Sequence, residues 1–243
     1  MPTVSFGPKG KLILAGGTDS LARLWRVDGM ELLHTLDGHE STVYGSAFDP
    51  AGRLAATACA EGRVCFWDVE SGELQRTVET GARVNHIAFG ADGKLLYGSG
   101  QSGVHVWDAA TGERRADLAD FEGAVIAIAV HPAGHTLAAA CRDGRVRLWS
   151  LRSGELVRSL APPDGTVPSA VALHPRRPLV AAGSSEGQIA VWDLSSGELV
   201  ETEAGHEGKV HGLVFDAGGK RLASGGQDKT IRLWRVLGRV RSL

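Results

Sequence analysis

Tryptophan recurs at Trp25, Trp67, Trp107, Trp149, Trp192 and Trp234, at intervals of 42, 40, 42, 43 and 42 residues. A fixed period of that size means one supersecondary unit copied six times, each copy too small to bury its own faces and so stacked on its neighbours. No linker interrupts the period across the 243 residues, so the chain reads as a single domain. A chain spent on repeats carries its activity on surfaces shared between units rather than in one dedicated pocket.

The last repeat is the clearest. Residues 209–215 (KVHGLVF) alternate as a half-buried strand does, and residues 216–219 (DAGG) supply a glycine-rich turn. A second short strand follows at 221–225 (RLASG), then a turn at 227–229, then a β-branched third strand at 230–236 (TIRLWRV) carrying Trp234. Earlier repeats add a fourth strand, as at 73–78 (ELQRTV) after Ser71-Gly72, a turn repeated at Thr111-Gly112, Ser153-Gly154 and Ser196-Gly197. Six sheets of four short antiparallel strands bury one another by radial stacking, which also protects their edges. A helical solenoid is excluded, because no repeat carries a 3.6-residue apolar stripe or helix caps.

With the period and turns in place, Trp67-Asp68, Trp107-Asp108 and Trp192-Asp193, together with Gly38-His39 and Gly205-His206, give the chain a resemblance to the WD-repeat family of β-propellers. The resemblance covers essentially the whole chain and implies an all-β fold: a single β-propeller of six four-stranded antiparallel blades. The blades are expected at about 1–37, 38–80, 81–121, 122–164, 165–204 and 205–243. The family's buried His, Ser/Thr, Asp and Trp tetrad is matched in full by His206, Ser224, Asp228 and Trp234. His39, Thr57, Glu61 and Trp67 match it with a glutamate one methylene longer. Elsewhere Ala15, Ala139 and Ala182 replace the hydroxyl residue, and those repeats are expected to rest on apolar packing. These tetrads are structural, not catalytic. Met1 to Phe6 aligns with a first strand and Arg239 to Leu243 with a short fourth one, so the resemblance implies a ring without the family's usual latch. A weakly latched or unlatched closure is expected between the first and last blades.

Composition narrows the function. A formal net charge of −2 and a pI near 6.5 provide no global field for nucleic acid or an anionic membrane. The opening MPTVSFGPKG is not a secretory leader, and no apolar run reaches membrane-spanning length. Cys59, Cys65 and Cys141 are odd in number and lack a Cys-x-x-Cys pair, so they read as reduced thiols in a cytoplasmic protein. Arginine outnumbers lysine 20 to 6, the mark of GC-rich coding and an expectation of a bacterial source.

The innermost strands, at 1–6, 42–48, 83–89, 124–130, 167–173 and 209–215, contain no Asp or Glu. Enzymatic and metal-binding propellers need carboxylates or clustered histidines converging there, so neither catalysis, nor a metal, nor a cofactor is expected. His131 and His135 span a turn, and His131 and His174 occupy the slot of Asp49 and Asp216 in sister repeats, which turn chemistry explains. Gly218-Gly219-Lys220 lacks the spacing of a phosphate loop. Arg142, Arg145 and Arg147 read as a solvated strand edge.

The resemblance implies partner binding at the top face, on loops leading into the first strand and on the turn between the second and third. Transferred residue by residue, this selects Thr42, Tyr44, Arg83, Asn85, Arg142, Lys209, His211 and Gln227, with Ser169 at a corresponding position. Three are cationic, Tyr44 is aromatic, and none is acidic. The expected function is a non-catalytic protein–protein interaction scaffold, with an acidic or phosphorylated segment as the sharper expectation. The alternatives are an oligomerising module of a larger assembly and, with less support, a propeller hydrolase.

Overall fold

The computed structural model describes residues 3–118, 121, 123–236 and 240–242. Met1, Pro2, Arg239 and Leu243, at the limits of the expected terminal strands, lie outside the described residues, as does Glu122 at an expected blade boundary. The chain divides into two compact halves, Met1–Leu118 and Ala119–Leu243.

The first half holds three blades. Blade 1 is β1 (Val4–Phe6), β2 (Leu12–Gly16), β3 (Ala22–Arg26) and β4 (Glu31–Leu36). Blade 2 is β5 (Val43–Phe48), β6 (Leu54–Cys59), β7 (Arg63–Asp68) and β8 (Leu74–Glu79). Blade 3 is β9 (Val84–Phe89), β10 (Leu95–Gly100), β11 (Gly103–Asp108) and β12 (Arg114–Leu118). The second half repeats the plan. Blade 4 is β13 (Val125–Val130), β14 (Thr136–Cys141), β15 (Val146–Ser150) and β16 (Leu156–Leu160). Blade 5 is β17 (Pro168–Leu173), β18 (Leu179–Ser184), β19 (Gln188–Asp193) and β20 (Leu199–Ala204). Blade 6 is β21 (Val210–Phe215), β22 (Arg221–Gly226), β23 (Ile231–Val236) and β24 (Val240–Ser242). Each blade is a four-stranded antiparallel sheet with strands paired in chain order. No helix among the described residues is long and apolar enough to cross a membrane.

The Asp that follows Trp in three repeats is a turn cap. Asp68 Oδ1 accepts the backbone N–H groups of Glu70 and Ser71 at 3.0 and 2.8 Å, and Asp193 does the same for Ser195 and Ser196 at 2.8 and 3.0 Å. Asp108 holds Ala110 and Thr111 likewise. The Asx geometry fixes the hairpin between third and fourth strands. In the turn after the first strand, His131 Nδ1 accepts from Ala133 N and His174 Nδ1 from Arg176 N and Arg177 N, where Asp49 Oδ1 accepts from Arg53 N and Leu54 N in blade 2.

Within each half, one face of a blade packs on the opposite face of the next. The forward face of blade 2 (Ala47, Ala56, Ala58, Val64, Phe66) lies on the rear face of blade 3, which presents Ile87, Phe89, Leu96 and Trp107. Ala170, Ala172, Ile189 and Val191 of blade 5 pack in the same way on Val210, Leu222 and Trp234 of blade 6. The tryptophan sits on the rear face each time. A fully buried aromatic side chain removes roughly 150–250 Å² from water, on the order of 4–6 kcal/mol at most. Some strand residues remain exposed: Val4 and Phe6 of blade 1 at 65% and 63%, and Ile231 and Leu233 of blade 6 at 81% and 46%.

Phe66 and Leu233 occupy corresponding positions, one covered and one not. Phe66→Ala is expected to destabilise the protein by about 3–5 kcal/mol and Leu233→Ala by less than about 1 kcal/mol in urea denaturation.

Candidate functional site

Three sets of polar side chains are held in defined geometry: the buried staples inside blades, the turns that tie one blade to the next, and a group of exposed residues beside those turns. In blade 6, Trp234 Nε1 donates to Ser224 Oγ at 2.9 Å, and Ser224 Oγ lies 2.7 Å from His206 Nε2. His206 Nδ1 is 3.0 Å from Asp228 Oδ1, which also accepts from Thr230 N and Thr230 Oγ1. One proton arrangement satisfies the string: His206 donates from Nδ1 to the carboxylate, and the Ser224 hydroxyl donates to Nε2. Burial pulls the Asp228 carboxyl upward, but the bonds from Thr230 and His206 outweigh it and hold it well below the usual carboxylate range.

Blade 2 keeps this string only as far as the histidine. Trp67 Nε1 donates to Thr57 Oγ1 at 2.7 Å and His39 Nε2 sits 2.6 Å from the same oxygen. Glu61, expected as the fourth member, does not join. Its side chain is exposed, its backbone N–H donates to Ser41 Oγ, and His39 Nδ1 faces the Cys65 thiol at 3.9 Å. Two differences explain this. Asp228 is pinned by the hydroxyl of Thr230, whereas blade 2 has Arg63 there, anchored on Glu40 and Glu79. Cys65 also occupies the space in front of Nδ1, and the longer glutamate turns outward.

Blades 3 and 4, the second of them expected to rely on apolar packing, carry polar groups of their own. In blade 3, His105 on β11 lies between Ser102 Oγ at 2.8 Å and Asp117 Oδ1 at 2.9 Å, and Arg114 grips Asp117 through Nε and Nη2. Gly98 makes room, since a Cβ there would stand 2.5 Å from the Trp107 ring. The signal was a polar residue two before the tryptophan, but its partner emerges only from the register His105↔Asp117. In blade 4, Phe121 stacks on Trp149 at 4.5 Å, and Arg147 pairs with Asp143 at 2.5 Å. Burial raises the Cys65 thiol to about 11 and also raises Cys141.

Three of the expected top-face residues sit at a backbone irregularity of their own first strands. The first strand of blades 2, 5 and 6 shifts register at Val43/Gly45, Pro168/Ala170 and Val210/Gly212, leaving Tyr44, Ser169 and His211 as the extra residues. A bulge re-aims its side chain. Tyr44 emerges half-buried beside the loop into blade 3, and the guanidinium of Arg83 lies over its ring, 4.2 Å from the centroid. That loop is fastened: Thr80 N donates to Gly62 O at 2.7 Å, and the Thr80 hydroxyl reaches Gly62 O and Ala82 O. Thr42 and Asn85 flank the pair, both half-buried.

In the second half Arg142 is exposed on the turn after β14. The Gln227 amide accepts from Lys209 N at 3.3 Å, which ties two of the expected residues to each other. Burial and Lys209 lower the His211 pKa from its usual value. Ser169 is not a rim residue: its hydroxyl is buried against Val210 O and Gly183 O, because the bulge turns it inward. Among the described residues none of Arg83, Arg142 and Lys209 pairs with a carboxylate, and no group of three or more His, Cys, Asp or Glu is placed to hold a metal ion.

The fold agrees with what comparison finds. The model of the WD domain, G-beta repeat, matches residues 3–26, 30–68 and 72–108, and that of the IFT140 first beta-propeller matches 112–242, more than half of the chain. The chain belongs to the WD-repeat β-propeller family. This WD-repeat chain is 32% identical over 172 residues to Pre-mRNA-processing factor 19 homolog 2 of Arabidopsis thaliana, covering 67% of the chain and 32% of the relative. It is 28% identical over 151 residues to small ribosomal subunit protein RACK1y of Oryza sativa subsp. japonica, covering 59% and 45%. A chain in the crystal structure of a mitotic checkpoint complex shares the fold at a TM-score of 0.87 and 20% identity, over 96% of this chain and 73% of that one. The chain thus spans about a third to under a half of the curated relatives' own length. These relatives are eukaryotic, which overturns the bacterial source expected from arginine content. A preference for arginine reports codon composition, and no kingdom owns that.

Burial, and secondarily Arg63, lower the His39 pKa from 6.5 to about 4. A depressed histidine binds its proton in the unfolded chain first, so its contribution to stability is complete above pH 6.5 and is lost as pH falls toward 4. The thermal midpoint is expected to fall over that window, and less steeply in His39→Gln. In the blade 6 staple, Ser224→Ala should cost about 1–3 kcal/mol, because it strands the Trp234 N–H and the His206 ring, whereas Glu61→Ala should be nearly neutral in the same urea titration.

Proposed function

We propose that this WD-repeat chain is a non-catalytic protein-interaction scaffold that takes an acidic or phosphorylated peptide segment at the Tyr44–Arg83 pair. The observation that carries the reading is the guanidinium held over the Tyr44 ring, 4.2 Å from its centroid, on an exposed side chain without a carboxylate partner among the described residues. A guanidinium has five N–H donors, and its fork binds carboxylate or phosphate bidentately. The contact is worth about 0.5–1 kcal/mol at a partly exposed site, enough to pre-orient a long side chain. Tyr44 then supplies apolar contact area to a bound segment. The WD-repeat relatives named as splicing and ribosomal proteins support a scaffold in general and leave the partner open. In this reading the chain works in the cytoplasm, where its three buried thiols stay reduced.

Binding of phosphoserine and polyglutamate peptides, followed by fluorescence anisotropy, tests the reading. Arg83→Ala should weaken binding about tenfold or more, since a charge-assisted bond contributes about 1.5–3 kcal/mol. Arg83→Lys should fall between, keeping charge but losing the planar stack. Arg142→Ala, made alongside, reports whether the second half contributes an anion contact of its own. Equal affinity of the parent and the Arg83→Ala/Arg142→Ala double variant discards the site.

A further inference from the structure

In blade 5 the turn between the first and second strands is capped by histidine instead of aspartate, and the imidazole does what a carboxylate cannot. His174, which follows β17, is 2% exposed. Its Nδ1 accepts from Arg176 N at 3.1 Å and from Arg177 N at 2.9 Å, and its Nε2 lies 2.9 Å from Gly219 O on the corresponding turn of blade 6. These partners fix the tautomer. Two donors face Nδ1 and a carbonyl faces Nε2, so the neutral ring carries its proton on Nε2 and donates it to Gly219. Asp49 caps its own turn in blade 2 through Ala51 N, Arg53 N and Leu54 N, but an ionised carboxylate only accepts and has nothing to give a neighbouring carbonyl.

The two turns are fitted to each other around this ring. A Cβ on Gly219 would stand 2.2 Å from His174 Cε1, and Gly219 holds a φ of +70° that favours glycine as well. Phe215 packs against the imidazole, with ring centroids 5.0 Å apart. One ring nitrogen is thus committed to accepting and the other to donating. A second proton, placed on Nδ1, would point at the Arg176 and Arg177 N–H groups. Both of those bonds would be lost, and a ring turned out of the cap would lose Gly219 O with them.

The charged and titratable groups facing the ring come from three turns. Arg177 on its own turn and His131 on the blade 4 turn oppose a second proton, and Asp216 on the blade 6 turn favours it. His131 is itself stacked on His135, with centroids 5.4 Å apart, and caps its turn through Ala133 N. Burial is the largest influence and, with Arg177 and His131, outweighs the Gly219 carbonyl and Asp216, lowering the His174 pKa from its usual 6.5.

We propose that His174 is a proton-operated catch between blades 5 and 6: neutral, it closes its own turn and ties that turn to the next, and protonated, it releases both. The catch contributes fully above pH 6.5, and its contribution is lost as pH falls below that value. An aspartate in its place titrates near about 4 and stays closed through the range in which histidine opens. The inference is independent of the peptide site at Tyr44–Arg83.

NMR on the full chain tests it. At about pH 7.5 the His174 ring should carry its proton on Nε2, and the Arg176 and Arg177 amides should be protected from hydrogen exchange. Corrected for the intrinsic pH dependence of exchange, that protection should fall about tenfold or more by about pH 5. The Leu54 amide, capped by Asp49, should keep its protection over the same range. His174→Asp should hold the turn at both pH values, so that the fall disappears. The readout is confined to this turn, so the titration of His39 in blade 2 does not enter it. Three results overturn the proposal. A proton on Nδ1 at the higher pH denies the ring its acceptor role. Protection of Arg176 and Arg177 that is unchanged at the lower pH shows that the catch does not open. A fall that persists in His174→Asp assigns the opening to another group, with His131 and His135 the nearest.

Discussion

Everything in this protein depends on one contact: the tryptophan-bearing rear face of a blade laid on the small-residue forward face of the blade before it. A lone four-stranded sheet has two faces to bury and no helix to bury them against, so it gains its apolar stabilisation only from neighbours of the same kind. The contact works because the two faces differ. Rear faces carry bulk in Trp67, Trp107, Trp192 and Trp234, each at most 2% exposed. Forward faces carry alanine, glycine and valine, which let the sheets approach closely. A corresponding aliphatic residue of blade 6, Ile231, is surface.

Polar chemistry is secondary to that contact and correspondingly free to vary. Blade 6 completes a Trp–Ser–His–Asp string, blade 2 stops at histidine, blade 3 brings its histidine from a different strand, and blade 4 replaces the histidine with Phe121 stacked on Trp149. The requirement is satisfaction, not identity: a buried donor such as the indole N–H is costly alone and tolerable with any acceptor in reach. The residues proposed to bind a partner lie elsewhere, beside the bulges where a first strand has a residue to spare. The same kind of bulge leaves Tyr44 half-buried beside Arg83 and turns Ser169 inward onto Val210 O and Gly183 O.

The repeats, the strand order within a blade and the turn chemistry were legible in the sequence, because each is encoded within one period. Trp, Asp and the Ser-Gly or Thr-Gly turns lie on neighbouring strands at fixed offsets. The blade 6 tetrad residues could be chosen for the same reason. Glu61 could not, since one methylene and the identity of Arg63 and Cys65 decide where its carboxylate points. The pairing of His105 with Asp117 required a register, and the inward turn of Ser169 required a bulge. The exposure of Val214, Ile231 and Leu233 in blade 6 was invisible for another reason: their apolar pattern resembles that of buried residues in blade 2.

The staples have a kinetic meaning as well. His206, Ser224 and Trp234 are linked across 18 and 10 residues of chain, and His39, Thr57 and Trp67 across the same short separations. Closing such small loops costs little entropy, whereas joining one blade to another spans a whole period. Blades 2 and 6, one in each compact half, therefore hold their own strands together at low entropic cost, while their faces still need a neighbouring blade for apolar stabilisation.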